Sequence, residues 1–247
     1  MSDVFPTGTS VDSEFLFRRM AEATLDALEA RPGSRVVDVA AGVGQDDRAL
    51  ARRGAWVVGA EPSERMTALA YLSDCEDAEP PAGGVARVRA WSEALPFGAG
   101  AFDGAFCKGA LDHFDDPESC IREMARVTHA SGRVVLAVAN FDSLTVRISR
   151  ALERLRGAGG RGRRHHDVPS DHFTRYDPAL VREQLERFVS VDRTTGVSLL
   201  WGIRSWASLL ASLGPTWASG MLRVGDRIAA RFPALADVIV ISGRPRS

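Results

Sequence analysis

The chain reads as a doubly wound α/β fold built on a mainly parallel sheet. Short β-rich runs alternate with helical stretches, a carboxylate followed by a small-residue turn closes the first run, and a second acid closes the next. Ser13–Ala30 carries Phe15, Leu16, Met20, Leu25 and Leu28 at helical spacing, and Pro32-Gly33 stops it. Strands are then expected at Arg35–Val39, Ala55–Ala60, Val85–Arg89, Asp103–Cys107 and Gly132–Val138. Helices are expected at Gln45–Arg53, Ser63–Leu72 and Pro117–Thr128. Crossover helices between successive strands make those strands parallel and put ligands at their carboxyl ends. A further helix follows the fifth strand, and the Gly- and Arg-rich stretch Arg156–His166 marks a flexible insertion. Beyond it come a helix at Pro178–Glu186, a strand at Phe188–Thr194, one or two helices between Arg204 and Arg231, and a last strand at Asp237–Ser242. That makes seven strands in all.

A chain of 247 residues with 45% hydrophobic content fits one domain with elaborations: a core over 13–140, with substrate-side helices and the final strands over 141–247. Basic and acidic residues nearly cancel, 31 against 32, so no net field draws the molecule toward nucleic acid. Only Lys108 among the basic residues is a lysine; such uniform use of arginine looks like coding bias and gives individual arginines little weight. Cys75, Cys107 and Cys120 form no CxxC, which argues against a disulfide framework and a zinc site and suits a reducing cytoplasm. The first residues lack a basic segment followed by an apolar run, and no stretch is apolar enough for stable membrane insertion.

In VVDVAAGVGQDD, Asp38 ends a buried strand and Ala40-Ala41-Gly42-Val43-Gly44 turns into a helix. Small side chains there let backbone approach a ligand. The turn resembles the D-x-G-x-G-x-G motif of class I S-adenosylmethionine-dependent methyltransferases, with Ala40 at the place of the first Gly. A dinucleotide site would want G-x-G-x-x-G against a pyrophosphate. Here Asp46 and Asp47 follow at once, favouring the helix dipole but repelling that anion. A tight turn that binds nothing is the plain alternative.

Glu61 lies 23 residues after Asp38, at the tip of the second strand, where it can accept two hydrogen bonds from a ribose diol or cap the helix that Pro62 opens. The resemblance gives it the ribose and sets a residue near Met66 against adenine. The run WSEALPFGAGAFDGAFCKGALDHFDDPESCIREMARVTHASGRVVLAV closely resembles the type 11 small-molecule methyltransferases, and the resemblance covers Val36 to Val138. It implies a Rossmann-like fold, S-adenosyl-L-methionine as cofactor, no metal and a small-molecule acceptor.

Two positions depart from the family. Trp91 replaces an Asp that bonds the adenine amino group, leaving the indole to stack on adenine, beside Ser92, or to join the core. Asp112 stands where relatives have His. Lys108 follows the strand whose backbone touches the methionyl group in the family; its charge should turn from the sulfonium toward substrate or an acid such as Asp112. His113 sits at the mouth, where the ordinary pKa of imidazole suits proton removal from a hydroxyl, with Asp112 to orient it or bind substrate. His172 is the third candidate for the chemistry, on a segment that borders the substrate pocket in relatives; it also reads as structural beside the cap residues Thr174 and Asp177. Leu199, Leu200, Trp201, Trp206, Leu209, Leu210 and Trp217 form either an apolar lid for a greasy acceptor or core between helices.

Methyl transfer to a hydroxyl of an apolar, natural-product-like acceptor is therefore the expected function. An NAD(P)-dependent oxidoreductase of similar fold, and a cofactor-binding scaffold without turnover suggested by Trp91 and Ala40, are the alternatives.

Overall fold

The computed structural model describes residues 10–76, 82–156 and 174–246. One seven-stranded sheet of order β3-β2-β1-β4-β5-β7-β6 organises it. The strands are β1 Arg35–Val39, β2 Trp56–Ala60, β3 Gly84–Val88, β4 Phe102–Lys108, β5 Thr128–Ala139, β6 Val189–Val197 and β7 Val238–Pro245. All pairs from β3 through β5 are parallel, whereas β7 runs antiparallel to both β5 and β6. The seven expected strands all form; β5 begins earlier than expected, where Thr128 pairs with Phe102 of β4, and β6 runs on to Val197 by pairing with β7.

Helices α1 (Val11–Ala27) and α2 (Gln45–Arg52) cover one face, and α4 (Pro117–Val127) and α6 (Pro178–Glu186) the other. The pleat sorts the strand residues between them. Val37, Val39, Ala105, Cys107, Val134 and Leu136 join Ile121, Met124, Val181 and Leu185 in one cluster, while Val36, Phe106, Val135 and Ala137 meet Leu16, Met20, Leu25 and Leu50 in another. Each fully buried aliphatic or aromatic side chain of this kind contributes roughly 1.5–3 kcal/mol. Proline at the first turn and a capping aspartate set the starts of α4 and α6: Asp116 accepts from Ser119 N at 3.0 Å, and Asp177 from Ala179 N and Leu180 N at 2.8 and 2.9 Å. The remaining helices are α3 (Glu64–Glu76), α5 (Leu144–Arg156), α7 (Arg204–Ser212) and α8 (Pro215–Arg231). The Gly- and Arg-rich stretch, apart from Arg156 at the end of α5, lies outside the described residues, as does His172.

Beyond β6 the chain bends through Ser198 and Leu200, both at positive φ (60° and 67°). Two buried carboxylates hold the bend: Asp226 of α8 accepts from Ser198 N at 3.1 Å, and Asp237 accepts from Trp201 N at 2.9 Å and Thr145 Oγ1 at 2.6 Å. Burial, with repulsion from the nearby Asp12, pushes the Asp237 carboxyl up to about 6. The α7–α8 hairpin thus starts and ends at the edge of the sheet reached by the carboxyl ends of β5 and β6, since Val197 and Ala139 both pair with Val238. Phe15, Leu210, Ala218 and Leu222 form its small core against α1.

Candidate cofactor site

Parallel pairing in step builds the site. Val39 lies beside Ala60, Ala60 beside Val88, and Asp38 beside Phe106, so the residues that follow β1, β2, β3 and β4 emerge along one edge. The first turn leaves β1 at Ala40, whose N–H donates to Ala60 O at 2.9 Å. Ala40 has φ +60°, a left-handed conformation that costs a residue with a Cβ roughly 1–2 kcal/mol and that glycine adopts freely. Gly42 and Gly44 are also left-handed, at φ +56° and +66°. A Cβ on Gly42 would meet nothing within 4 Å, so its face of the turn opens onto free space. A Cβ on Gly44 would collide with the guanidinium of Arg87, which fills the space behind the turn.

Glu61 ties the two strand tips together. Its Oε2 accepts from Gly42 N at 2.9 Å and its Oε1 from Ser63 N at 2.9 Å. The carboxylate therefore braces the turn and caps the entry to α3 in one act. A carboxylate oxygen has two lone pairs, so each still has room for another donor.

Below the turn lies a charged network that sequence reasoning did not anticipate. Arg87, 4% exposed and pointing inward from β3, donates Nη1 to Asp47 at 2.7 Å, and Nε and Nη2 to Asp74 at 3.0 and 2.7 Å. Arg48 joins Asp74 at 3.1 Å and donates to Val43 O at 3.0 Å. The discounting of individual arginines is thus overturned for these two. The available signal was a charge inside the strand run VARV, where only a buried partner can hold it. Asp46 and Asp47 are likewise more than helix-dipole acids, since both are buried. Lys108 pairs with Asp46 of α2 at 2.6 Å, so the lysine does turn to an acid.

Burial drives the Asp38 carboxyl well above its ordinary range, with Asp47 and Asp46 adding repulsion and Lys108 opposing it. Burial also raises Asp47, while its bonds with Asp38 and Arg87 pull it back. Even with Asp38 left out, Asp46, Asp47, Glu61 and Asp74 outnumber Arg48, Arg87 and Lys108, so the loop region stays acidic, which suits a cationic ligand and opposes a pyrophosphate.

The flanks of Glu61 are apolar and open. Met66 on α3 is 39% exposed and Trp91, just past β3, is 70% exposed, so the reading of Trp91 as core is wrong. Ser92 is buried and its hydroxyl donates to Glu93 at 2.9 Å. Pro62 is half-buried between Glu61 and α3, and its carbonyl accepts from Arg89 at 3.4 Å. Past β4, Gly109 is left-handed with the methyl end of Met20 close by, and a single 3-10 turn, Leu111–His113, follows. That turn buries Asp112 and exposes His113. The Asp112 carbonyl accepts from Thr174 N at 3.3 Å, which joins the turn to the segment entering α6. Cys107 and Cys120 are buried free thiols and Cys75 an exposed one. Among the described residues no group of three or more His, Cys, Asp or Glu side chains is placed to hold a metal ion.

These features fit S-adenosylmethionine: an acid with free lone pairs at the β2 tip, a glycine turn open on one side, exposed apolar side chains on either flank, and an acidic surround. Comparison with known proteins points the same way. Residues 37–136 match the family model described as a methyltransferase domain. A demethylmenaquinone methyltransferase of Mycolicibacterium vanbaalenii is 34% identical over 134 residues, covering 54% of this chain and 53% of that protein. One from Beutenbergia cavernae is 37% identical over 128 residues, covering 52% and 49%. The matched region thus spans about half the length of these curated relatives. Among solved structures, a Haloferax volcanii putative methyltransferase in complex with its Trm112 activator superposes with a TM-score of 0.63 at 18% identity, covering 96% of this chain and 94% of that one. Haemonchus contortus phosphoethanolamine N-methyltransferase 2, solved with S-adenosyl-L-methionine, gives 0.57 at 14% identity, covering 93% and 53%. At those identities the likeness is one of fold. Over residues 37–136, about two fifths of its length, this chain is thus similar to methyltransferase domains.

Proposed function

We propose that this protein transfers the methyl group of S-adenosylmethionine to a hydroxyl of a small, apolar acceptor. The observation that carries the proposal is Glu61, whose carboxylate joins the tips of β1 and β2 and keeps free lone pairs at the place where a ribose diol would bind. The backbone of Ala40–Gly44 and of Lys108 would line the methionyl portion, and Pro62, Met66, Trp91 and Ser92 the adenine. Bound there, the cofactor supplies an already activated methyl group. What remains for the chain is to place the acceptor in line, exclude water and accept a proton.

In this reading His113, exposed past the tip of β4, would take that proton, and the backbone carbonyl of Asp112 ties down the turn that carries it by accepting from Thr174 N. An apolar acceptor is supported by the curated relatives, which are named as demethylmenaquinone methyltransferases. Radiolabelled S-adenosylmethionine incubated with a panel of apolar phenols, alcohols and a demethylated quinol tests the reading. Label should pass to an organic-extractable acceptor, and His113→Ala should lower turnover far more than cofactor affinity. Label on no acceptor, or binding of NAD(P) alone, would end it.

A further inference from the structure

Helix α8 packs chiefly on β6, α1 and α7 and not on the strands whose tips frame the cofactor site. Trp217, Met221, Val224 and Ile228 recur at spacings of four, three and four, which sets them in one stripe about 16 Å long. The opposite positions Ala218, Leu222, Asp226 and Ala229 are buried against the fold. Met221 is half-buried against the hairpin's core, but the rest of the stripe is open to water: Trp217 is 74% exposed, Val224 54% and Ile228 43%, and Phe232 just beyond the helix 53%. An apolar groove of about 520 Å³ runs beside it, with Leu199, Leu200 and Trp206 on its far side. Alongside the stripe, Arg223, Arg227 and Arg231 form a second row, every fourth residue, and all three are exposed. From Thr194 to Ala236 the sole acid is Asp226, and it is buried and bound to Arg19 and to Ser198 N. Arg223 and Arg227 therefore meet no acid among the described residues, and Arg231 lies over the ring of Phe232 at 5.5 Å.

We infer that α8 is a peripheral docking surface for an anionic lipid bilayer. A helix lying flat in the interfacial plane wants apolar and aromatic side chains on one face and arginines at phosphate level beside them, and α8 carries both rows in adjoining positions. Charge selects this occupant over a second copy of the chain, because face-to-face pairing of two α8 helices would crowd six arginines with no exposed acid to meet them. The mode is surface attachment: no helix among the described residues is long and apolar enough to cross a membrane. The inference rests on the surface chemistry of α8 alone and stands apart from the methyl-transfer reading.

Flotation of the full chain with vesicles tests it. Vesicles of phosphatidylcholine mixed with phosphatidylglycerol should carry the protein up at low salt, release it at high salt, and shift tryptophan emission to the blue, whereas phosphatidylcholine alone should carry little. An arginine near such a surface strengthens partition about fivefold, so R223E/R227E, at exposed positions, should weaken it at least ~25-fold with thermal unfolding unchanged. Trp217→Ala should weaken it and abolish the emission shift. Failure of folded protein to float with anionic vesicles overturns the inference. So does flotation that ignores lipid charge and salt, or a dimer in sedimentation equilibrium that Trp217→Ala dissociates, which would give the face to a second copy.

Discussion

Replacing Glu61 by Ala probes the site at its most connected point. Two losses follow from the geometry. Gly42 N and Ser63 N, each now donating to Glu61 at 2.9 Å, lose their acceptor, and the turn loses its tie to the β2 tip. These groups are part-buried near an open cleft, so water replaces the carboxylate in part and the cost to folding stays at about 1–3 kcal/mol. The ligand loses more. Two charge-assisted bonds from a diol, at roughly 1.5–3 kcal/mol each, sum to about 3–6 kcal/mol, or a 10²- to 10⁴-fold rise in Kd at 1.36 kcal/mol per tenfold. Glu61→Gln should show an intermediate loss, because its amide nitrogen would face either the Gly42 or the Ser63 N–H, donor against donor. Titration calorimetry with S-adenosylmethionine and its demethylated product reads the effect, with circular dichroism to confirm folding. Folded Glu61→Ala that binds the cofactor within threefold of the unaltered protein would refute the placement of the ribose on this acid.

Arg87→Met should destabilise the fold by about 3–5 kcal/mol in urea denaturation, since it strands the wholly buried Asp47 without its cation and loosens Gly44 above it. Ala40→Gly removes a Cβ from a left-handed residue and should raise stability by about 0.5–1 kcal/mol, the gain being reduced by the greater freedom of unfolded glycine; a loss in the same assay would contradict the assigned backbone. Asp237 predicts a pH effect. Its folded pKa of about 6 lies above the ordinary aspartate value of ~3.9, so the folded state holds the proton more tightly, and its contribution is full below pH ~4 and lost as pH rises to about 6. The loss amounts to about 3 kcal/mol at most, and Asp237→Asn should flatten that part of the stability profile; equal slopes for both proteins would remove the burial argument.

Seven alternating strand runs with crossover helices, and acids at the ends of the first two, are local patterns, and they sufficed to predict a mainly parallel sheet with its ligand edge at Asp38 and Glu61. Small residues at Gly42 and Gly44 are legible for the same reason: their need for positive φ is a property of the residue itself. The order β5-β7-β6 is not of that kind, because antiparallel insertion of the last strand between two others depends on pairing between residues about forty to a hundred and ten positions apart. Nor could spacing show that Arg87 reaches under the first turn, that Lys108 selects Asp46, or that Trp91 stands in water. Each is settled by which groups share a buried volume once the sheet has closed, where an unpaired charge is too costly to keep and an indole goes wherever packing leaves it room. The sequence by itself thus determined the fold class and set the acid Glu61 at the tip of the second strand; tertiary structure decided which charges hold the first turn in shape and which apolar side chains it leaves exposed.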